Sequence, residues 1–246
     1  MSTTDSSSSL SPDVIAGITG NLDEVAERAR AAAVSAGRSG DEVRVLLATK
    51  TQPAEKIRVA LEHGFTLIGE NKVQEITGKA EALADLNPET HLIGPLQRNK
   101  VNHTLRHASC IQSVDNLPLA EKINNRLGVL DETLDYFVQV NTSREDSKFG
   151  VAPEDAEALI TETRTLDRMR LRGLMTIGLP GSSPDVIRPS YSDLRELSER
   201  LRESGVMPAE ATELSMGMSG DFELAISEGA TIVRVGSSIF GARDYS

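Results

Sequence analysis

The sequence contains a single cysteine and no long apolar run, and each of these features narrows the possible classes of protein. Cys110 is the only cysteine, which excludes an internal disulfide and indicates a reducing cytoplasm. We predict that Cys110 is a buried thiol in a strand that includes residues 109–111. No stretch approaches the roughly 18 apolar residues of a membrane span, so we expect no membrane partner.

Positive charge is scarce as well. Lysine and arginine together number 26 against 37 aspartates and glutamates, which gives a net charge of −11. Such a surface repels nucleic acid and anionic lipid, so we expect neither as a general partner. The start, MSTTDSSSSL, lacks the basic and apolar regions of a signal peptide. We therefore predict a disordered tail over 1–10, one domain over 11–246 and a cytoplasmic location.

Strand-like segments alternate with helix-like segments along the chain. Residues 11–36 begin with Ser11-Pro12 and carry apolar residues at three- and four-residue spacing, typical of an amphipathic helix. Eight strands are predicted, at 43–49, 65–69, 90–94, 109–114, 134–141, 171–177 and in the segments that begin at Leu214 and Ile232. One helix is predicted to begin at Pro53, and a second follows the strand at 65–69 and ends at about 86. Further helices are predicted over about 98–108, 117–127, 153–165 and 187–204.

Eight strands separated by helices in 246 residues favour a closed parallel barrel over a doubly wound sheet. The predicted fold is therefore α/β, a single TIM-type (β/α)8 barrel with an extra N-terminal helix. That helix precedes the first strand, so we expect it to cover the place of a final helix. Active sites of such barrels lie at the carboxyl ends of the strands.

The last two predicted strands each end in a Gly/Ser turn that opens a helix. Glycine lets a ligand approach the backbone, and serine at a helix start adds a hydroxyl beside unpaired N–H groups. Together these features predict a phosphate site, at the two loops that usually bind phosphate in this type of barrel.

Lys50 is one of only seven lysines and directly ends the first apolar strand. A desolvated lysine in this position can form a Schiff base, although it can also extend to solvent at the rim. A lysine facing a phosphate site on the neighbouring last strands suggests pyridoxal 5′-phosphate (PLP). Arg234, between two valines of a strand, predicts either a contact with the pyridine nitrogen or a salt bridge inside the barrel.

Other motifs give weaker signals. His103 and His107 stand four residues apart in a predicted helix, a possible zinc spacing, but neither HExxH nor a cysteine pair supports zinc binding. The sequence has no GxGxxG after a strand, no P-loop and no GxSxG elbow. These absences argue against Rossmann-type dinucleotide binding, Walker-type ATP binding and a serine hydrolase site.

The ordered motifs resemble the pyridoxal phosphate homeostasis proteins, single-domain relatives of the alanine racemase N-terminal barrel (fold type III). The resemblance spans about 12–243. It is carried by LLATKTQP around Lys50, IGENKVQE at 68–75, HLIGPLQRNK at 91–100, NTSREDSKFG at 141–150, GLMTIG at 173–178 and SMGMSGDFELAISEGATIVRVGSSIFGAR near the end.

The resemblance implies a role for each matching residue and for the protein as a whole. Lys50 would form the Schiff base, Arg234 would meet the pyridine nitrogen, and the remaining residues would hold the phosphate or lie near the cofactor. The phosphate residues are Ser219, Gly236 and Ser237, and the residues near the cofactor are Asn71 and Met218. The family implies a carrier or regulator of PLP in vitamin B6 homeostasis, without established turnover, that supplies PLP-dependent apo-enzymes.

Two enzymatic alternatives remain. A PLP-dependent amino-acid racemase would use Lys50 as acid/base, but it needs a second base, and none of the tyrosines Tyr136, Tyr191 and Tyr245 is predicted at a cofactor-facing strand end. An arginine at the pyridine nitrogen also makes the ring a poorer electron sink. A Schiff-base aldolase without cofactor would instead bind a sugar phosphate at the Gly/Ser loops and would be colourless.

Overall fold

The computed structural model describes residues 10–145, 149–179 and 181–241. Nearly all of the predicted N-terminal tail, part of the 141–150 motif and Tyr245 lie outside the described residues. Within the described ranges, none of the helices combines the length and apolar character needed to cross a membrane.

Eight parallel strands form a closed barrel in sequence order. The strands are β1 (Arg44–Ala48), β2 (Leu67–Glu70), β3 (Glu89–Leu92), β4 (Cys110–Val114), β5 (Leu134–Gln139), β6 (Met169–Met175), β7 (Glu213–Met218) and β8 (Ile232–Val235). β1 pairs with both β2 and β8, with Leu46 opposite Arg234, and this pairing closes the ring. The prediction of a TIM-type barrel is confirmed.

Helices surround the barrel. They are α1 (Pro12–Ser35), α2 (Ala54–Glu62), α3 (Val73–Leu83), α4 (Val101–Thr104), α5 (Leu117–Leu130), α6 (Ala156–Thr163), α7 (Pro184–Glu203), α8 (Phe222–Ser227) and α9 (Ser237–Phe240). The Ser11 side chain caps α1, with proline in the first turn. As expected, α1 takes the place of a long final helix, because it packs against α2, α8 and the short α9. Asn21 Nδ2 donates to the Ile239 carbonyl at 2.9 Å across this contact.

The helix predicted over 98–108 is shorter than expected. A 3-10 turn covers Arg98–Lys100, and α4 ends at Thr104. The Ser109 amide already donates to the Thr90 carbonyl at 2.9 Å, so the intervening residues must turn back toward the barrel. His107 therefore lies beyond the helix. Among the described residues, no group of three or more His, Cys, Asp or Glu side chains is arranged to hold a metal ion.

The apolar core has two layers. The larger layer lies between the outer faces of the strands and the helices. The smaller one fills the barrel interior and consists of Leu46, Leu67, Ile93, Cys110, Phe137, Met175 and Ile232. The prediction of a buried strand thiol is confirmed, and burial raises the pKa of the Cys110 thiol well above its usual value.

Candidate functional site

A cavity of about 550 Å³ opens at the carboxyl ends of β1, β2, β7 and β8. All seven residues predicted for cofactor binding line it: Lys50, Asn71, Met218, Ser219, Arg234, Gly236 and Ser237. The apolar side chains of Ile93 and Ile177 and the loop residues Gly181 and Ser182 line the same cavity. The structure therefore brings together residues that the sequence places on four separate strands.

Lys50 follows β1 and lies in a strained stretch of backbone. The next residue, Thr51, has a φ of 65°, a left-handed conformation that is unfavourable for a β-branched residue. The Thr51 amide donates to Glu75 Oε2 at 2.9 Å. A carboxylate on α3 thus fixes the backbone turn that directs Lys50 into the cavity wall.

A buried polar cluster lies beside Thr49, the residue that precedes Lys50. Glu70 is 1% exposed, and its Oε1 accepts hydrogen bonds from Thr49 Oγ1 at 2.6 Å and from Lys79 Nζ at 2.7 Å. Lys79 Nζ also contacts Glu75 Oε2 at 3.3 Å. Burial, followed by the neighbouring Glu75 carboxylate, raises the pKa of Glu70 to about 7. Two carboxyl groups thus share one lysine beside the peptide that carries Lys50.

Arg234 is 5% exposed and makes two hydrogen bonds to neutral groups. Its Nη1 donates to Ser215 Oγ at 2.8 Å, and its Nη2 donates to the Thr176 carbonyl at 2.6 Å. Within the described residues, no carboxylate lies at ion-pair distance from Arg234, so the alternative of a structural salt bridge finds no support there. Burial lowers the pKa of Arg234 to about 10, opposed by the charge of Asp221.

The loops after β7 and β8 are bonded to each other. The Gly236 amide donates to Ser219 Oγ at 3.1 Å, and Ser238 Oγ donates to the Ser219 carbonyl at 3.4 Å. A Cβ at Gly236 would lie 2.7 Å from the Ala48 carbonyl oxygen, so only glycine lets the end of β8 approach β1 this closely. The two loops therefore form one continuous wall of the cavity that Lys50 also lines, and this wall carries the Ser219 and Ser237 hydroxyls.

The backbone of Asn71, which lines the cavity, is closely approached by the segment that follows β3. A Cβ at Gly94 would lie 2.2 Å from the Asn71 carbonyl oxygen, which excludes any larger residue at that position. Asn71 itself is half-buried at the end of β2. The glycine at 94 thus explains part of the HLIGPLQRNK motif in steric terms.

Sequence reasoning missed the surroundings of Tyr191. This tyrosine lies in α7, as its position near a helix start indicated, but it is fully buried. Burial, followed by the nearby Asp221 carboxylate, raises the pKa of Tyr191 above its usual value. The half-buried Asp221 also accepts a hydrogen bond at Oδ1 from the Met218 amide at 2.7 Å, which ties the end of β7 to the start of α8.

Tyr136 is buried in β5. Its hydroxyl donates to Thr163 Oγ1 at 3.0 Å on the outer side of the barrel. Neither Tyr136 nor Tyr191 lines the cavity. The polar residues 113–115 at the end of β4 and Asn141 after β5 are not among the residues that line the cavity, and Asn141 Nδ2 donates to the Glu145 carbonyl at 2.9 Å.

Fold and site together define a class: α/β barrels with a lysine, a buried arginine and a Gly/Ser loop wall around one cavity. The family model described as alanine racemase, N-terminal domain, matches residues 21–244. The pyridoxal phosphate homeostasis protein of Aquifex aeolicus is 43% identical over 225 residues, which cover 91% of this chain and 97% of that protein.

Two solved structures extend the comparison. An unknown protein from Bifidobacterium adolescentis superposes with a TM-score of 0.88 at 40% identity, covering 94% of this chain and 97% of that one. PipY of Synechococcus elongatus, with PLP bound, superposes with a TM-score of 0.79 at 31% identity, covering 91% and 100% of the two chains. The chain belongs to the pyridoxal phosphate homeostasis protein family, whose barrel is that of the alanine racemase N-terminal domain.

Proposed function

We propose that this protein binds PLP as a Schiff base on Lys50 and acts in intracellular vitamin B6 homeostasis, in the cytoplasm. The observation that carries the proposal is the convergence of Lys50, Arg234 and the Ser219–Gly236 loop contact on one cavity. A primary amine, a buried guanidinium and hydroxyl and amide donors fit an aldehyde, a ring nitrogen and a phosphate, respectively.

The remaining predicted residues complete the proposed assignment. Ser219, Gly236 and Ser237 would hold the phosphate through hydroxyl and amide donors, because these groups face the same cavity as Lys50. Asn71 and Met218 would border the cofactor. When bound, PLP would supply a reactive aldehyde, which the protein keeps as an imine and thereby withholds from other amines.

We further propose that the protein carries PLP to apo-enzymes and has no catalytic turnover. The two described tyrosines lie outside the cavity, and Arg234 only donates hydrogen bonds, which leaves a ring nitrogen unprotonated. Neither feature favours proton abstraction from an amino acid. The name of the Aquifex aeolicus relative agrees with this role.

Absorbance of the purified protein before and after borohydride, with peptide mapping, tests the binding. We expect a yellow protein with a reduced pyridoxyl group on Lys50 that is lost in Lys50→Ala and kept in Lys122→Ala, an exposed lysine on α5. A colourless protein that takes up no added PLP would refute the proposal.

Two further measurements separate a carrier from an enzyme. Exchange of an amino acid's α-hydrogen with deuterium should stay at the level of PLP alone, whereas a racemase would catalyse it. Loaded protein mixed with a PLP-dependent apo-enzyme should restore that enzyme's activity. Catalysed exchange together with failed transfer would favour the racemase alternative.

A further inference from the structure

A line of polar side chains crosses the barrel interior from Arg234 to Glu89. Arg234 Nη1 lies 2.8 Å from Ser215 Oγ, which lies 2.6 Å from Gln112 Oε1. Gln112 Nε2 lies 2.8 Å from His91 Nδ1, and His91 Nε2 lies 2.9 Å from Glu89 Oε1. The line therefore connects the cavity wall on β8, through β7, β4 and β3, to the opposite end of the barrel.

The middle of this line is sealed from water. Ser215 and Gln112 are 0% exposed and His91 is 3% exposed, among the apolar side chains of the barrel interior. Interiors of such barrels are usually filled by apolar layers, so a continuous polar line is an exception. Because an unpaired buried donor or acceptor is costly, each proton in the line must face an acceptor.

The donors and acceptors available to these side chains fix the direction of every hydrogen bond in the line. Arginine only donates, so Ser215 Oγ accepts from Arg234 and directs its own proton to Gln112 Oε1. The Gln112 amide N–H then faces His91 Nδ1, which must carry a lone pair. The remaining imidazole proton sits on Nε2 and faces Glu89, so every donor points away from Arg234.

Glu89 enforces this direction at the far end. A carboxylate only accepts, and Arg44 Nη1 also donates to Glu89, at 3.4 Å. The opposite direction would place the His91 Nε2 lone pair against the carboxylate and turn a Gln112 N–H toward Ser215, whose oxygen already accepts from Arg234. The ionised Glu89 therefore selects the Nε2–H tautomer.

We propose that Glu89 and His91 are positioning residues for Arg234, and that they act through Gln112 to keep the Ser215 oxygen turned toward the guanidinium. Arg234 also lines the cavity, so the line fixes the orientation in which it meets a ligand. The importance of this orientation for PLP rests on the proposed function. The direction of the hydrogen bonds in the line is independent of the proposed function, because it is a property of the cofactor-free protein.

The first test is the tautomer of His91 in the cofactor-free wild-type protein, from nitrogen-15 NMR of labelled histidine. We expect a proton on Nε2 and none on Nδ1. A proton on Nδ1, alone or together with Nε2–H, would overturn the proposal. The wild-type protein suffices, so the result does not depend on the folding of a variant.

Variants test the connection to the site. Glu89→Gln should mix the two His91 tautomers, broaden the Arg234 guanidinium NMR signals and weaken PLP binding roughly tenfold, the effect of one misdirected hydrogen bond to a charged group. Glu213→Gln is the matched control, because Glu213 begins β7, pairs with Arg172 Nε at 2.8 Å and has no bond to the line. We expect the control to leave all three measurements unchanged.

The outcomes separate the two proposals. If the wild type takes up no PLP while His91 carries the Nε2 proton, the proposed function fails and the line stands. If PLP binds Lys50 but Glu89→Gln leaves the His91 and Arg234 signals unchanged, Glu89 has no positioning role and the inference is wrong. Equal effects of Glu89→Gln and Glu213→Gln would also overturn it, because they would indicate a general loss of charge at that end of the barrel.

Discussion

Lys79 on α3 donates a hydrogen bond of 2.8 Å to the carbonyl oxygen of Thr49, the residue that precedes Lys50. The same ammonium contacts Glu70, and Glu75 holds the amide of Thr51 on the other side of Lys50. The backbone on both sides of Lys50 is thus tied to one helix. This relationship makes α3 a support of the site, although none of its residues lines the cavity.

Glu70 should titrate near neutral pH, because burial raises its pKa to about 7. A carboxyl with a raised pKa in the folded protein gives stability that is complete below its usual pKa and lost as pH rises through about 7. Glu70→Gln should remove this part of the pH dependence, roughly 1–3 kcal/mol between about pH 5 and about pH 8. Urea unfolding of wild type and variant at both pH values measures this change in the free energy of unfolding.

Glu81→Gln, at an exposed position on the same helix, is the control for this titration and should keep the wild-type slope. Carbon-13 NMR of labelled glutamate follows the Glu70 carboxyl directly. An inflection at the usual value of a surface glutamate would contradict the prediction.

Lys79→Met should destabilise the protein by roughly 2–4 kcal/mol, because it leaves the Glu70 carboxylate, the Thr49 carbonyl and the Glu75 carboxylate without their shared donor. Urea unfolding measures the loss, and hydrogen exchange of the Thr51 amide should become faster. Lys122→Met on α5 removes an exposed lysine and should change neither quantity. Similar losses in both variants would rule out a specific role of Lys79.

Gly217→Ala should destabilise the protein by roughly 2–4 kcal/mol. Gly217 has a φ of 91°, and an added Cβ would lie 2.4 Å from the Ala225 Cβ. Gly220, three residues later, has open space around its Cα and no left-handed φ, so Gly220→Ala is the control and should be close to neutral. Thermal unfolding of both variants decides the matter, and an equal shift would disprove the steric argument.

Glu89→Gln should weaken the dependence of the free energy of unfolding on pH in the acidic range. The hydrogen bond from His91, opposed by partial burial, lowers the pKa of Glu89 to about 2, with Arg44 contributing. Its stabilisation is therefore present above the usual glutamate value and is lost as pH falls through about 2. Because the side chain is 38% exposed, we expect less than about 1 kcal/mol, measured by urea unfolding at about pH 5 and about pH 3. An unchanged difference between wild type and variant would contradict it.

The sequence predicts the barrel well because strand and helix patterns are local. It also locates Lys50 and Arg234, since a charge at the end of an apolar strand or within it stands out against its neighbours. The helix over 98–108 was predicted too long, because the pairing of Ser109 with Thr90 that forces the chain to turn is not visible in a local pattern.

The supporting residues could not be found in this way. Gln112 and Ser215 touch only because β4 and β7 face each other across the closed barrel, which depends on register and strand tilt. Lys79 is an ordinary helix lysine in the sequence, and its contact with Thr49 appears only when α3 packs on the barrel. Tyr191 is likewise drawn toward Asp221 by the docking of α7.

The pairing of β1 with β8 has a consequence for biosynthesis. Lys50 and Arg234 belong to the first and last strands of the ring, and Leu46 lies opposite Arg234 only when the two strands have met. On the ribosome, a nascent chain therefore exposes Lys50 long before the strand that completes its surroundings has been made. During that interval the edge of β1 that will pair with β8 has no partner, so the cavity wall formed by β8 is completed only at the end of synthesis.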